Sequence, residues 1–357
     1  MVVIHIAHID PSVLGGVQVV VPQHVRAQSR IANVALLNTH GEAFEGITML
    51  PVKKQFSLQD FAPPFDAPDL VVFHEIYRVE FLDIYRKLKK QDIPYLIVPH
   101  AGLTRHAQHI KRLKKTAANL LLFRRFAASA AAVQFLTEQE RSASLFADKG
   151  FVCGNGITAP DQVKVAFREE NLRFLYIGRL DVFHKGLDLL ISAAADCGEE
   201  LRSHGCSVHL FGPDLDGVHG RLHDLISANG VGDLIEVHGA VTGAEKQREL
   251  LSADCFVQAS RFEGMPLGVL EALGYGLPCI VSDGTCMDDF IREHDAGWTC
   301  AASAESLAAA LRQAVRERER LGEKSKHAAV WSRREFSWET VAARTLSHYE
   351  TLINQTE

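Results

Sequence analysis

Glu263 and Glu271 lie in the stretch SRFEGMPLGVLEALGYGLPCIVSD, residues 260–283, one just before Gly264 and Pro266 and the other inside an apolar run. Two carboxylates at such spacing could form an acid/base couple of the kind glycosidases use. A carboxylate also accepts two hydrogen bonds from neighbouring hydroxyls, so each could equally clamp a sugar ring or a ribose. Glu271 has a plainer alternative as a solvated helix position, which its apolar neighbours Leu270 and Ala272 make less comfortable. Upstream, YIGRLDVFHKGLDLL brings Arg179 directly after an apolar run and Lys185 to the opening of a helix. Two such cations suit a diphosphate, Arg through its planar fork and Lys as a point charge; the alternative is a surface pair of Arg179 with Asp181. Near the N-terminus, Gly15 and Gly16 in HIDPSVLGGVQ open a helix. Glycines there let an anion or sugar reach the backbone N–H groups, although a tight strand-to-helix turn explains them as well.

These residues need elements to hold them. Short β-branched runs alternate with longer helical patterns, the signature of βα units around parallel sheets. Strands are expected at 2–9, 33–38, 69–74, 95–99 and 131–136, then at 172–178, 207–212, 234–239, 255–260 and 277–283. Gly, Asn, Pro and charge in 152–170 place a boundary near residue 160, giving a domain 1–160 and a domain 161–336. Two open α/β domains in tandem imply a cleft, with chemistry on residues just past the strand ends. Pro266 is expected as the first residue of the helix PLGVLEALGYG. FSWETVAARTLSHYETLI, 336–353, reads as a last amphipathic helix starting at Ser337.

The whole composition narrows the field. A chain of 357 residues, 47% hydrophobic, is expected to fold as two globular domains, and a net charge of -6 argues against a general nucleic-acid binder. The seven cysteines form no C-x-x-C pair, so neither a zinc site nor a disulfide framework is indicated, and a reduced cytoplasm fits. No stretch approaches the roughly 18 apolar residues of a spanning helix.

Taken together, GRLDVFHKG, SRFEGMPLGVLEALGYGLPCIVSD, the leading GGVQ, IVPHAGL (97–103), LTEQER (136–141), CGNGI (153–157) and FSWETVA resemble the retaining glycosyltransferases of the glycogen-synthase-like GT-B superfamily, in the fourth family of bacterial nucleotide-sugar transferases. The resemblance implies an α/β fold of two Rossmann-like parallel-sheet domains across a cleft, with the C-terminal helix, about 337–357, returning to the first. It implies that Glu271 holds the nucleotide ribose, that Glu263 lies against the donor sugar, and that backbone groups from Gly264 and Met265 through Pro266, Leu267 and Gly268 meet sugar and phosphate. Arg179 and Lys185 match the pair that neutralises the diphosphate, His100 the first-domain histidine near the reacting sugar, and Gly239 and Ala240 the contacts to the base. The donor is then a UDP- or GDP-sugar.

Asp214 and Asp216 have the D-x-D spacing by which another glycosyltransferase fold holds a metal, but here the cations already serve the phosphates, so no metal and no cofactor is expected. Between Ile93 and Thr137 there is no acid, while Arg105, Lys111, Arg112, Lys114, Lys115, Arg124 and Arg125 supply positive charge. Such a face could rest on anionic lipid at the inner surface of a membrane and receive a lipid-linked saccharide; a solvated basic face is the alternative. Competing readings keep the fold: an inactive nucleotide-sugar or glycan binder, or a sugar-nucleotide epimerase, which would not carry this glutamate pattern.

Overall fold

The computed structural model describes residues 1–12, 15–105 and 123–355. The chain divides into two compact units, Met1–Gly156 with Trp338–Glu357, and Ile157–Ser337. The division falls at Gly156/Ile157, and the chain re-enters the first unit at Trp338.

In the first unit β1 (Val2–Ala7), β2 (Asn33–Asn38), β3 (Thr48–Met49), β4 (Leu70–His74), β5 (Tyr95–Val98), β6 (Ala132–Phe135) and β7 (Gly150–Val152) form one sheet in the order β3-β2-β1-β4-β5-β6-β7. Every ladder is parallel. The second unit holds β8 (Arg173–Ile177), β9 (Ser207–Phe211), β10 (Ile235–His238), β11 (Cys255–Gln258), β12 (Cys279–Ser282) and β13 (Gly297–Cys300), ordered β10-β9-β8-β11-β12-β13 and again parallel. Parallel strands are joined by crossover helices that cover both faces, so their residues are apolar throughout rather than alternating. Thus YLIV of β5 and CFVQ of β11 are buried at every position.

All ten expected strands are present, most of them trimmed at one or both ends, and β3, β7 and β13 are additional. Each addition is a sheet edge of two to four residues. An edge strand needs only one partner, so a short segment without a long apolar run suffices.

The first unit's core is aromatic, with Phe73 packed edge-on against Phe126 (5.1 Å between ring centres) and Tyr95 (5.6 Å). The C-terminal helix Trp338–Asn354 closes it: Trp338 Nε1–H donates to Gln23 Oε1 at 2.7 Å, and Val341, Ala342, Thr345, Leu346 and Tyr349 form its buried stripe. The second core gathers Tyr176, Leu190, Ile191, Leu210, Leu222, Val257 and Leu311.

Asp254, just before β11, is fully buried. Its carboxylate accepts the Arg173 N–H at 2.9 Å and pairs with Arg168 at 2.7 Å and Lys164 at 3.4 Å. Asp254→Ala leaves the Lys164 ammonium, whose side chain is 6% exposed, without its counter-charge. The expected cost is about 3–5 kcal/mol, read as a lowered urea midpoint.

Strand order reverses at the first strand of each sheet: β1 lies between β2 and β4, and β8 between β9 and β11. Ligands of open parallel sheets bind outside the carboxyl ends at this switch point. The loops after β8 and β11 carry Arg179, Lys185 and Glu263; the loop after β1 carries Gly15.

Candidate functional site

Gly178, the first residue past β8, donates its N–H to Phe211 O at 3.0 Å, and the buried Tyr176 hydroxyl donates to Arg179 O at 2.7 Å. The backbone under Arg179 is therefore fixed while its side chain stays about half exposed, at 48%. The guanidinium reaches His184 Nδ1 at 3.1 Å and Asp181 at 3.5 Å. The surface pair with Asp181 thus exists, but it is loose and shared. His184 donates from Nε2 to Phe262 O at 2.7 Å and stacks on the Phe262 ring at 4.1 Å, so its Nδ1 is bare to accept from Arg179. Burial lowers the His184 pKa, with neighbouring Lys185 and Arg179 adding to the shift against an opposing effect of Glu263. His184 stood inside the motif FHKG without being singled out as a functional residue; it orients Arg179.

Gly186 has φ +63, and a Cβ there would come 2.0 Å from Ala259 O. Only glycine permits this conformation at this contact, and it presses the loop after β8 onto the end of β11. Lys185 consequently meets Glu263: its ammonium donates to Glu263 Oε1, the same oxygen that accepts from the Ser260 hydroxyl at 2.9 Å. Both side chains are mostly buried, 17% and 12% exposed. Ser260 is held in turn by Gln258 Nε2 at 2.7 Å. An ammonium has three N–H donors, so the Lys185 charge retains donors for an incoming anion while Glu263 holds it in place.

Pro266 is the N-cap of the helix Leu267–Gly274 and not its first residue, with φ -73 and ψ 119. Its ring still fixes φ, but the extended ψ lets the chain turn out of the glutamate loop before the helix begins. At Gly268 a Cβ would meet Ile177 O at 3.2 Å, so the glycine lets this helix start lie against the end of β8, with the N–H groups of its first turn at the switch point. Gly264 and Met265 are buried beneath it. Glu271, one turn further on, is ion-paired with Lys246 of the helix Gly243–Ser252. Lys246 is a second residue not anticipated, since nothing local marks a lysine so far upstream. Gly239 and Ala240, after β10, are exposed, and a Cβ on Gly239 would touch nothing within 4 Å.

Asp214 accepts the His219 backbone N–H at 3.0 Å, and Asp216 stands at φ +56 as the loop turns into the helix Val218–Ala228. Elsewhere in this unit, among the described residues, His209, Glu236 and His238 bring ligand atoms within 4.8 Å of one another. They are flanked by Arg173, whose charge helps lower the His209 pKa to about 4 after burial, the largest cause.

In the first unit, Gly15 (φ -169) is the extended N-cap of the helix Gly16–Gln28, and a Cβ on Gly16 would meet nothing within 4 Å. Neither backbone strain nor close packing calls for glycine at these two positions. His100 lies two residues past β5 in a left-handed pair, φ +47, with Ala101 at φ +64. Non-glycine residues adopt this region only when their surroundings hold them. The holder is buried Glu140, whose Oε1 accepts Ala101 N–H at 2.6 Å and whose Oε2 accepts Leu136 N–H at 2.7 Å. Burial raises the Glu140 pKa against those two bonds. His74 Nδ1 lies 3.1 Å from His100 Nε2, and burial takes the His100 pKa down to about 4. Arg105 is exposed, its N–H bound to Ala143 O at 2.8 Å; Lys111, Lys114 and Lys115 lie outside the described residues. No described helix is long and apolar enough to cross a membrane.

Residues 159–329 match the family described as Glycosyl transferases group 1. Over 186 residues the chain is 28% identical to the MMP alpha-(1->4)-mannosyltransferase of Mycolicibacterium hassiacum, a stretch taking in 51% of this chain and 43% of that relative's own length. Anabaena HepE, solved with UDP, superposes with a TM-score of 0.74 at 16% identity, covering 98% of this chain and all of the other. The lipopolysaccharide outer core galactosyltransferase WaaB superposes at 0.68 with 16% identity over the whole of both chains. Residues 159–329 are thus similar to the glycosyl transferases group 1 family, within a chain that has the α/β fold of the GT-B class, two Rossmann-like domains each built on a parallel sheet.

Proposed function

We propose that this protein is a retaining glycosyltransferase, which moves a sugar from a UDP- or GDP-sugar to an acceptor hydroxyl without a metal ion. The observation that carries this reading is the cluster at the switch point of the second sheet, where Lys185, Glu263 and Ser260 meet beside Arg179 and the helix start Leu267–Gly274. Charge builds on the β-phosphate as the glycosidic bond breaks, and cations and N–H groups already fixed there lower that barrier. Lys185 and Arg179 supply the charge, and the backbone from Gly264 to Gly268 supplies the dipoles. Glu263 holds a donor-sugar hydroxyl and Glu271 the ribose, with Gly239 and Ala240 beside the base. Retention proceeds by attack on the face the phosphate leaves, the phosphate oxygen taking the acceptor proton, so no protein nucleophile is required. His100 and the Gly15–Gly16 helix start belong to the first unit and orient sugar and phosphate. The UDP bound to HepE supports a nucleotide donor.

The acceptor in this reading is a lipid-linked saccharide of cell-surface polysaccharide assembly, met at the cytoplasmic face of a membrane. The basic composition of 105–125 and the likeness to WaaB support it. Screening UDP-, GDP- and ADP-sugars for thermal stabilisation tests the donor side, because a ligand bound only by the folded state raises its midpoint. A shift with one nucleotide series, unaffected by EDTA, is the expected result. No shift with any of them, or a shift that requires Mn²⁺, contradicts the reading.

A further inference from the structure

A continuous line of side chains runs through the first unit from a backbone carbonyl to His100. Gln134 Nε2–H donates to Cys153 O at 3.0 Å, which fixes the orientation of this amide, because a carbonyl can only accept. Gln134 Oε1 then accepts the Tyr349 hydroxyl at 2.9 Å, using that group's single hydrogen. Burial pushes the Tyr349 hydroxyl pKa well up, and a side-chain hydrogen bond with Gln28 works against that rise, the sense of an amide N–H donating to the oxygen that Tyr349 leaves as an acceptor. Gln28 Nε2 also faces His24 Nε2 at 3.0 Å, so Gln28 Oε1 faces His5 Nε2, at 2.7 Å.

From there the polarity propagates. His5 carries its proton on Nε2 to donate to Gln28, which leaves Nδ1 to accept from His74 Nε2–H at 2.8 Å. His74 Nδ1 in turn accepts from His100 Nε2–H at 3.1 Å. Burial holds His5 near 3, His74 well below its usual value and His100 near 4, so all three rings are neutral at pH 7 and each has one proton to place.

We infer that the Cys153 carbonyl, acting through Gln134, Tyr349, Gln28, His5 and His74, locks His100 as the Nε2–H tautomer and keeps its Nδ1 a permanent hydrogen-bond acceptor. The opposite tautomer either reverses every link, ending with Gln134 Oε1 turned toward Cys153 O, or sets two lone pairs face to face at one link on the way. One buried mismatch of that kind biases the ratio by roughly tenfold to a hundredfold. These residues are positioning groups. The functional consequence rests on the transferase reading: a substrate atom at His100 Nδ1 must be a donor, so the sugar presents a hydroxyl there and not a carboxylate or an ether oxygen.

The test needs no substrate. The full chain is labelled with ¹⁵N-histidine, and long-range ¹H–¹⁵N spectra are recorded at pH 7, each ring being assigned by replacement. Wild type is expected to show pyrrole-type Nε2 and pyridine-type Nδ1 at His5, His74 and His100. Tyr349→Phe removes only the hydroxyl that passes the orientation to Gln28, and should turn the single His100 signature into a mixture of both tautomers. A wild-type His100 protonated on Nδ1, or a folded Tyr349→Phe with an unchanged His100 spectrum, overturns the inference. Should Tyr349→Phe not fold, the wild-type spectrum alone decides. Loss of the transferase reading would appear separately, as an Nε2–H His100 in a protein that turns over no nucleotide sugar.

Discussion

On the proposed function, Lys185→Ala is expected to lower turnover of the nucleotide sugar by about 10²–10³-fold, the size of effect seen when one preorganised group facing developing charge is removed. The size follows from how firmly the ammonium is placed. It sits on a loop pinned by Gly186 against Ala259, with its charge held by Glu263 in a site where both side chains are mostly buried. Charge fixed before the reaction costs no reorganisation as the β-phosphate becomes more negative. Alanine also strands Glu263, adding a negative group beside the leaving diphosphate. Lys185→Arg keeps the charge but replaces a compact point by a planar fork, so recovery should be partial. Steady-state release of nucleoside diphosphate measures all three proteins. Turnover within twofold of wild type in Lys185→Ala removes this residue from the chemistry.

The two glutamates should fail differently. Glu271→Ala removes a carboxylate that would take two ribose hydroxyls and that now pairs with Lys246. Hydrogen bonds to a charged group contribute about 1.5–3 kcal/mol, so the donor dissociation constant should rise roughly tenfold to a hundredfold while turnover at saturation changes little. Glu263→Ala does the reverse. It releases Lys185 from its carboxylate, leaving the ammonium with the phosphates as its natural partner, so nucleoside diphosphate binding is kept or tightened. Turnover should nonetheless fall about 10²-fold or more, because the sugar loses its clamp and Lys185 its support. Calorimetric titration with the nucleoside diphosphate, set beside turnover, separates the pair. Equal loss of affinity in both variants defeats the division of roles.

Glu263 and Glu271, taken alone, fit an acid/base couple. Their surroundings favour a different use, because each acid is already matched by a lysine, Lys185 or Lys246, and neither is left as a lone proton carrier. Lys185 was visible in the sequence because HKG opens a helix after an apolar strand. Lys246 was not, since it meets Glu271 only when the helices Gly243–Ser252 and Leu267–Gly274 are brought side by side. The strand pattern was legible because buried parallel strands are written as unbroken apolar runs. The edge strands β3, β7 and β13 were not, because pairing on one side asks for so little sequence. His100 could be named from VPHAG, whereas the histidines behind it, His5 and His74, belong to separate strands and converge only through the order β1-β4-β5. Glu140 was hidden similarly: it looks like an ordinary surface acid in LTEQER, yet it is buried and holds Ala101.

The most direct measurement of the central claim is the fate of a nucleotide sugar, radiolabelled in the sugar, incubated with the full chain and a saccharide acceptor in the presence of EDTA, with the product's anomeric configuration read by NMR. The account predicts release of nucleoside diphosphate, transfer of label, the anomeric configuration of the donor kept in the product, and loss of all three in Lys185→Ala. Inverted configuration, or activity that appears only on adding a divalent metal, contradicts it.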